Sequence, residues 1–293
     1  MHDAASAWNA GFIRQVCNRR VLLPDKSGVP VVVSRCARQR RHEERNFVPR
    51  RFAGYFTRMD LTANLDSIQK RMAAACGRAG RDPDSVTLLA VTKTQPPEVV
   101  SAAAKLGLIF FGENKVQEAR AKIPLCPDSL RWHFIGHLQS NKCRDAVELF
   151  KMIQSVDSLS LAQEINKRAE QAARTMPVLI EVNVAGEASK FGYQPEQLLA
   201  ELKELNALPR IEIHGLMTVP PWSPEAEKAR PHFRRLHEIK AQCGQILGAP
   251  LLHLSMGMSG DFEIAIEEGA TMVRIGTALF GPRTKARPRA EAD

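Results

Sequence analysis

The chain has 293 residues, 44% hydrophobic and 25% charged, a globular composition long enough for one large domain or two small ones. No apolar run approaches the ~18 residues of a membrane span, and six cysteines without a C-x-x-C pair read as free thiols of a reducing, cytoplasmic compartment. The net charge of +9 sits at one end: residues 1–58 hold eleven Arg and one Lys against four acidic residues, leaving 29 basic and 28 acidic residues in 59–293. A basic nucleic-acid-binding face is therefore not indicated for the body of the protein.

Residues 1–58 read as an irregular leader without sustained periodicity. Arg38–Arg45 is a charge run, and Val29–Val33 is an isolated apolar burst. The order of a secretory signal is missing. Three readings are open: an organelle-type targeting peptide, a basic arm that touches a polyanion, or an upstream start with Met59 as the true first residue. The last is favoured because Met59-Asp60-Leu61 opens the first well-formed helix.

From Leu61 a helical period places Leu61, Leu65, Ile68 and Met72 on one face, and Gly77 and Gly80 are expected to end it. Eight short apolar runs follow: Val86–Thr92, Leu108–Phe111, Trp132–Ile135, Met152–Val156, Val178–Val184, Ile211–Met217, Leu251–Ser255 and Met272–Ile275. Helical patterns lie between them, among them Leu159–Thr175, Pro195–Leu205 and Ala226–Leu247. Strands alternating with helices imply parallel strands and right-handed crossovers, and near-continuous apolar strands imply burial on both faces. The expected fold class is α/β, a single (β/α)₈ TIM-type barrel over residues 59–284. An open doubly wound sheet is the alternative; no G-x-G-x-x-G follows the first strand and no P-loop occurs. Residues 285–293 read as a charged tail.

Barrel chemistry gathers where strands end. Those ends carry Lys93, Gly112-Glu113-Asn114, Gly136-His137, Asp157, Asn183, Met217-Thr218, Ser255 to Ser259 and Gly276-Thr277. A strand-end lysine that loses solvent becomes a nucleophilic amine able to attack an aldehyde. Ser259 and Thr277 lie in two late segments that turn from strand into helix, where free N–H groups favour an anion. Ordinary helix capping is the plainer account of those segments. Arg274 lies inside the eighth strand, where a charge needs a partner: a core carboxylate, or the ring nitrogen of a ligand.

A lysine that captures aldehydes, an anion cup and a cation near a ring describe pyridoxal 5′-phosphate (PLP). Residues 59 to about 284 resemble the pyridoxal phosphate homeostasis protein family. The segments that carry the resemblance include Leu89–Thr94, Phe111–Glu118, Trp132–Lys142, His214–Met217, Leu254–Ser259 and Val273–Gly281. The resemblance implies the barrel of the alanine racemase N-terminal domain. It implies that Lys93 forms the Schiff base with PLP and that Ser259, Gly276 and Thr277 contact its phosphate. It places Arg274 at the pyridine nitrogen and Asn114 near the ring. It also implies intracellular PLP buffering and delivery, with PLP-requiring apo-enzymes as candidate partners.

The remaining candidates have plainer readings. His133 and His137 flank a strand end and do not share a metal-facing side. His214 and His253 read as satisfied core histidines, and Glu113 and Glu118 as first-turn acids favoured by a helix dipole. Trp8, Trp132 and Trp222 are too dispersed to form a stacking platform. A weak amino-acid racemase is the alternative function. Racemisation needs a second base, and the only tyrosines are Tyr55, in the leader, and Tyr193, in a loop. Arginine does not readily give up a proton, so it leaves a pyridine neutral and a poor electron sink. A non-catalytic PLP carrier without a membrane anchor, monomeric or weakly dimeric, is the expectation. Polyanion binding through the leader is the other alternative.

Overall fold

The computed structural model describes residues 22–24, 30–32, 60–187 and 190–282. The chain divides into two units, Met1–Arg51 and Phe52–Asp293. In the first, Leu22–Pro24 and Pro30–Val32 pair as a short antiparallel ribbon. The other expectations for the leader, including its start, and those for the tail beyond 282 lie outside the described residues.

The second unit is a closed barrel of eight parallel strands. They are β1 (Thr87–Val91), β2 (Phe110–Glu113), β3 (Arg131–Phe134), β4 (Met152–Val156), β5 (Met176–Glu181), β6 (Ile211–Met217), β7 (His253–Met258) and β8 (Met272–Ile275). β8 closes the ring on β1, with Arg274 beside Leu89 and Ile275 beside Ala90. The helices are α1 (Leu61–Arg78), α2 (Pro97–Lys105), α3 (Val116–Lys122), α4 (Cys143–Leu149), α5 (Leu159–Gln171), α6 (Pro195–Asn206), α7 (Arg230–Leu247), α8 (Phe262–Glu267) and α9 (Thr277–Phe280). Each longer helix turns one apolar stripe to the sheet, as helical periodicity requires. In α5 the stripe is Leu161, Ala162, Ile165 and Ala169; in α7 it is Phe233, Leu236, Ile239 and Cys243. No described helix is long and apolar enough to cross a membrane.

Several boundaries differ from the sequence expectation for local reasons. Helix α1 runs through Gly77 to Arg78, and the turn after it is made by Gly80 at φ +64°. Helix α5 ends at Gln171 rather than Thr175, because Ala173 adopts φ +50° and the Arg174 guanidinium caps the Val147 and Phe150 carbonyls. Strand β5 lies at Met176–Glu181 rather than Val178–Val184, because Val182 and Asn183 are drawn into a loop that pairs with Tyr193. The open-sheet alternative is excluded by the closure of β8 on β1.

The core has two parts. The larger lies between the sheet and the helices; the smaller consists of Met152, Leu179, Met217 and Met272. Buried polar residues share the barrel with the second cluster, among them His133, Gln154, Thr218, Ser255 and Arg274.

Candidate functional site

Strand β1 ends at Val91, and Thr92, Lys93 and Thr94 follow before α2. Strand alternation puts Lys93 on the face of Leu89 and Val91, toward the barrel interior. From the other face the turn is held by an ionic triad in which Lys122 and Glu113 are buried and Glu118 is half-buried. The Lys122 ammonium donates to Thr92 O at 2.7 Å, to Glu113 Oε1 at 2.7 Å and to Glu118 Oε1 at 2.8 Å, so all three of its N–H groups are used. Thr92 Oγ1 also donates to Glu113 Oε1, and the Thr94 N–H donates to Glu118 Oε1. Thr94 sits at φ +67°, a conformation that costs a β-branched residue on the order of 1–2 kcal/mol. The peptide groups on both sides of Lys93 are thus fastened to one triad. Burial pushes the Glu113 carboxyl above its ordinary range, and the adjacent Lys122 opposes that rise.

Arg274, on β8, is 4% exposed. Its guanidinium donates to Ser255 O at 2.7 Å, Ser255 Oγ at 2.8 Å and Thr218 O at 2.8 Å. Among the described residues no carboxylate lies within ion-pairing distance of it, so the plain reading of a core ion pair does not hold. Burial lowers its pKa to about 10, with Glu181 and Asp261 opposing from further away. It remains a cation at neutral pH. Glu181 is raised to about 7, first by burial and then by Asp157.

The late segments meet. Ser259, just beyond β7, accepts the Ala278 N–H of α9 through its Oγ at 3.1 Å, so the serine and the Gly276-Thr277 turn share one corner. The turn into α8 requires Gly257: at φ +90°, a Cβ there would stand 2.5 Å from Ala265 Cβ and 2.9 Å from Phe262 Cα. Gly276 is adjacent to Val91, which places this corner beside the Lys93 strand end. On the other side of β1, Thr92 N–H donates to Gly112 O, so Asn114 follows at the end of the neighbouring strand. Gly136 lets the Asn114 backbone approach β3, since any Cβ at 136 would collide with Asn114 O. At the same end, His137 pairs with Asp157 at 3.2 Å and stacks on Phe191.

Comparison with known proteins places the chain in a family. Residues 63–284 match the family described as alanine racemase, N-terminal domain. The pyridoxal phosphate homeostasis protein of Aquifex aeolicus is 46% identical over 226 residues, covering 77% of this chain and 99% of the relative. That of Pseudomonas aeruginosa is 45% identical over 231 residues, covering 78% and 98%. The chain belongs to the pyridoxal phosphate homeostasis protein family. Among solved structures of similar proteins, PipY of Synechococcus elongatus with PLP bound is 39% identical, with a TM-score of 0.64 over 73% of this chain and all of that one. An alanine racemase of Clostridium difficile shares the fold, at 20% identity and a TM-score of 0.60.

For this member of the pyridoxal phosphate homeostasis protein family, strand pairing puts Lys93 between Asn114 and Gly276, while Ser259 follows β7, and Arg274 and Thr277 lie on and just beyond β8. Two expectations need correction. Glu113 is not a first-turn acid; it ends β2, fully buried, and holds Lys122. His214 and His253 are not enclosed in the core; both line a cavity at the opposite end of the barrel. Tyr193 is buried, and its hydroxyl donates to Glu201 on α6 at 3.0 Å. Sequence reasoning missed Lys122, Gln154 and the role of Ser255. The one available signal was the i,i+4 spacing of Glu118 and Lys122.

Proposed function

We propose that this chain binds PLP at the C-terminal mouth of the barrel and serves intracellular PLP homeostasis, holding and delivering the cofactor without turnover of its own. The observation that carries this reading is Arg274: a buried guanidinium, fixed by two carbonyls and a hydroxyl instead of a carboxylate, at the end of the barrel where Lys93 enters. The buried cation has donors in excess of its protein acceptors, which suits a ring nitrogen. The Ser259, Gly276 and Thr277 corner offers hydroxyl and N–H donors to a phosphate, and Asn114 flanks the ring. These assignments rest on the residues' placement and on the family.

PLP supplies an aldehyde that condenses with a primary amine with loss of water. Lys93 presents that amine, and the Lys122 triad fixes the turn that directs it. Lys122 itself is spent on three acceptors and does not compete for the aldehyde. Arg274 retains its proton and so leaves a ring nitrogen neutral, which works against withdrawing electrons from a bound amino acid. Tyr193, the one described tyrosine, is committed to Glu201 outside the barrel. Both features support a carrier over a racemase. Cys76, Cys126, Cys143 and Cys243 are buried free thiols, which suits a reducing cytoplasm. PLP-requiring apo-enzymes are the proposed recipients, and a monomer or weak dimer is the proposed state.

The test is an absorption spectrum of the full-length protein with PLP, followed by borohydride reduction and peptide mass analysis. Lys93→Ala is expected to abolish both the visible band and the reduced adduct. Wild-type protein without an adduct at Lys93 would refute the assignment. A racemisation assay with alanine separates the alternative, because turnover lost in Lys93→Ala would contradict the carrier reading.

A further inference from the structure

A cavity of about 590 Å³ opens at the N-terminal end of the barrel, the end opposite the Lys93 mouth. Its walls are Phe110, Met152, Pro177 and Met272, with three imidazoles, His133, His214 and His253. Arg131, Lys151 and Asp128 contribute charge. No group of His, Cys, Asp or Glu suited to a metal occurs among the described residues, so the imidazoles here act as hydrogen-bonding groups.

A continuous polar chain runs from this cavity through the barrel. Arg274 can only donate, so Ser255 Oγ accepts from it at 2.8 Å. The Ser255 hydroxyl proton must then go elsewhere, and it goes to Gln154 Oε1 at 2.6 Å. That fixes the Gln154 amide, whose Nε2–H faces His133 Nδ1 at 2.9 Å. His133 therefore accepts at Nδ1 and carries its proton on Nε2. Burial holds His133 near pKa 4, so it is neutral with that single N–H. Among the described residues Nε2–H has no protein acceptor. A buried arginine at one end of the barrel thus sets which nitrogen is the donor at the other.

The charge of the cavity selects its occupant. His253 is also held neutral, near 4, by burial, and His214 Nε2 lies 3.1 Å from Glu212 Oε2. Of the Arg, Lys and Asp side chains that line it, Arg131 and Lys151 exceed Asp128 by one unit, which fits a monoanion. The Arg131 guanidinium lies over the Phe110 ring, 5.8 Å from its centroid, and Phe110 meets His133 edge to face. Aromatic and methionine walls suit a flat apolar body. We propose that this cavity is a second ligand site, for a small aromatic carboxylate. Its carboxylate takes the His133 Nε2–H and the Arg131 charge, and its occupancy is felt at Arg274 through Gln154 and Ser255. The binding half of the proposal stands without PLP; the coupling half rests on Arg274 serving the cofactor.

The test uses benzoate, with neutral benzamide as the control, on the full-length chain. In PLP-free protein, benzoate should shift the imidazole Cε1–H proton resonances of His133 and His253 saturably, and benzamide should bind more weakly. Arg131→Gln, at an exposed position, should weaken benzoate about fivefold, and His133→Phe about tenfold. In PLP-loaded protein, saturating benzoate should change PLP affinity about fivefold. Gln154→Leu should abolish that change while benzoate still binds. No saturable shift, or benzoate binding indifferent to both Arg131→Gln and His133→Phe, overturns the site. Wild-type PLP affinity untouched by benzoate overturns the coupling. Failure of PLP itself to bind would sink the cofactor reading and leave the first titration standing.

Discussion

Charged residues inside apolar strands are the most informative single residues in this chain. Lys93 and Arg274 are legible in sequence because each interrupts or ends a run that is otherwise buried, and such a residue needs a reason. Their supports are not legible. Lys122 sits on the barrel side of α3 only because Glu113, nine residues earlier, ends β2 on the outward face. Replacing Lys122 by Met leaves the Glu113 carboxylate buried without a cation, beside a half-buried Glu118, and is expected to lose about 3–5 kcal/mol. Glu113 is already raised by burial, and with the ammonium gone its folded pKa rises further above the unfolded value. A raised carboxyl binds more protons folded than unfolded, so its contribution is present at low pH and lost as pH rises through the folded value. Lys122→Met should therefore be relatively more stable in acid than at neutral pH in urea titrations. A variant with wild-type stability at both would show that the triad contributes little.

Glycines separate the elements whose ends the sequence located from those it did not. Gly77 and Gly80 looked alike as helix terminators. Gly77 lies within α1 with nothing inside 4 Å of a new Cβ, whereas Gly80 holds the left-handed turn. Gly77→Ala is expected to stabilise by about 0.5–1 kcal/mol, since alanine loses less backbone freedom in a helix. Gly257→Ala should do the opposite. It forces a Cβ into the α8 backbone at a φ that side chains avoid, and a loss of about 2–4 kcal/mol is expected. Because the same turn carries Ser259, PLP affinity should fall with it. Calorimetry on the pair checks both signs; equal melting shifts would contradict the packing argument. The runs Met152–Val156, Ile211–Met217 and Met272–Ile275 match their strands in full, because each begins and ends on an apolar residue, although Gln154, Ser155, Glu212, His214 and Arg274 interrupt them. β5 was displaced because its C-terminal residues pair with a loop, a tertiary event.

At the scale of the whole barrel, opposing titrations shape the pH dependence. His133 and His253 are held near 4, below the ordinary value of 6.5, chiefly by burial. A depressed imidazole contributes stability that is present above its unfolded pKa and lost as pH falls through the folded one. Glu181, raised to about 7 from 4.5, acts in reverse: its contribution is present below the unfolded value and lost as pH rises through the folded one. Glu181→Gln should therefore remove a loss of up to about 3 kcal/mol between about pH 4.5 and pH 7. The acid-side loss from the two histidines should remain. Urea midpoints across that range check it, and a variant as pH-sensitive as the wild type between those values would refute the assignment.

By itself the sequence determined the eight-fold alternation, the residues at the strand ends and the family, because periodicity and short motifs are local properties. The tertiary structure decided which of those residues share surroundings. It closed β8 on β1 and brought Ser259 onto the Ala278 N–H. It fastened the Lys93 turn to Lys122 and threaded Arg274, Ser255, Gln154 and His133 into one directed chain. Hydrogen bonds between residues 19, 101 and 21 positions apart leave no periodic trace, since their partners are chosen by barrel closure and not by neighbours in sequence.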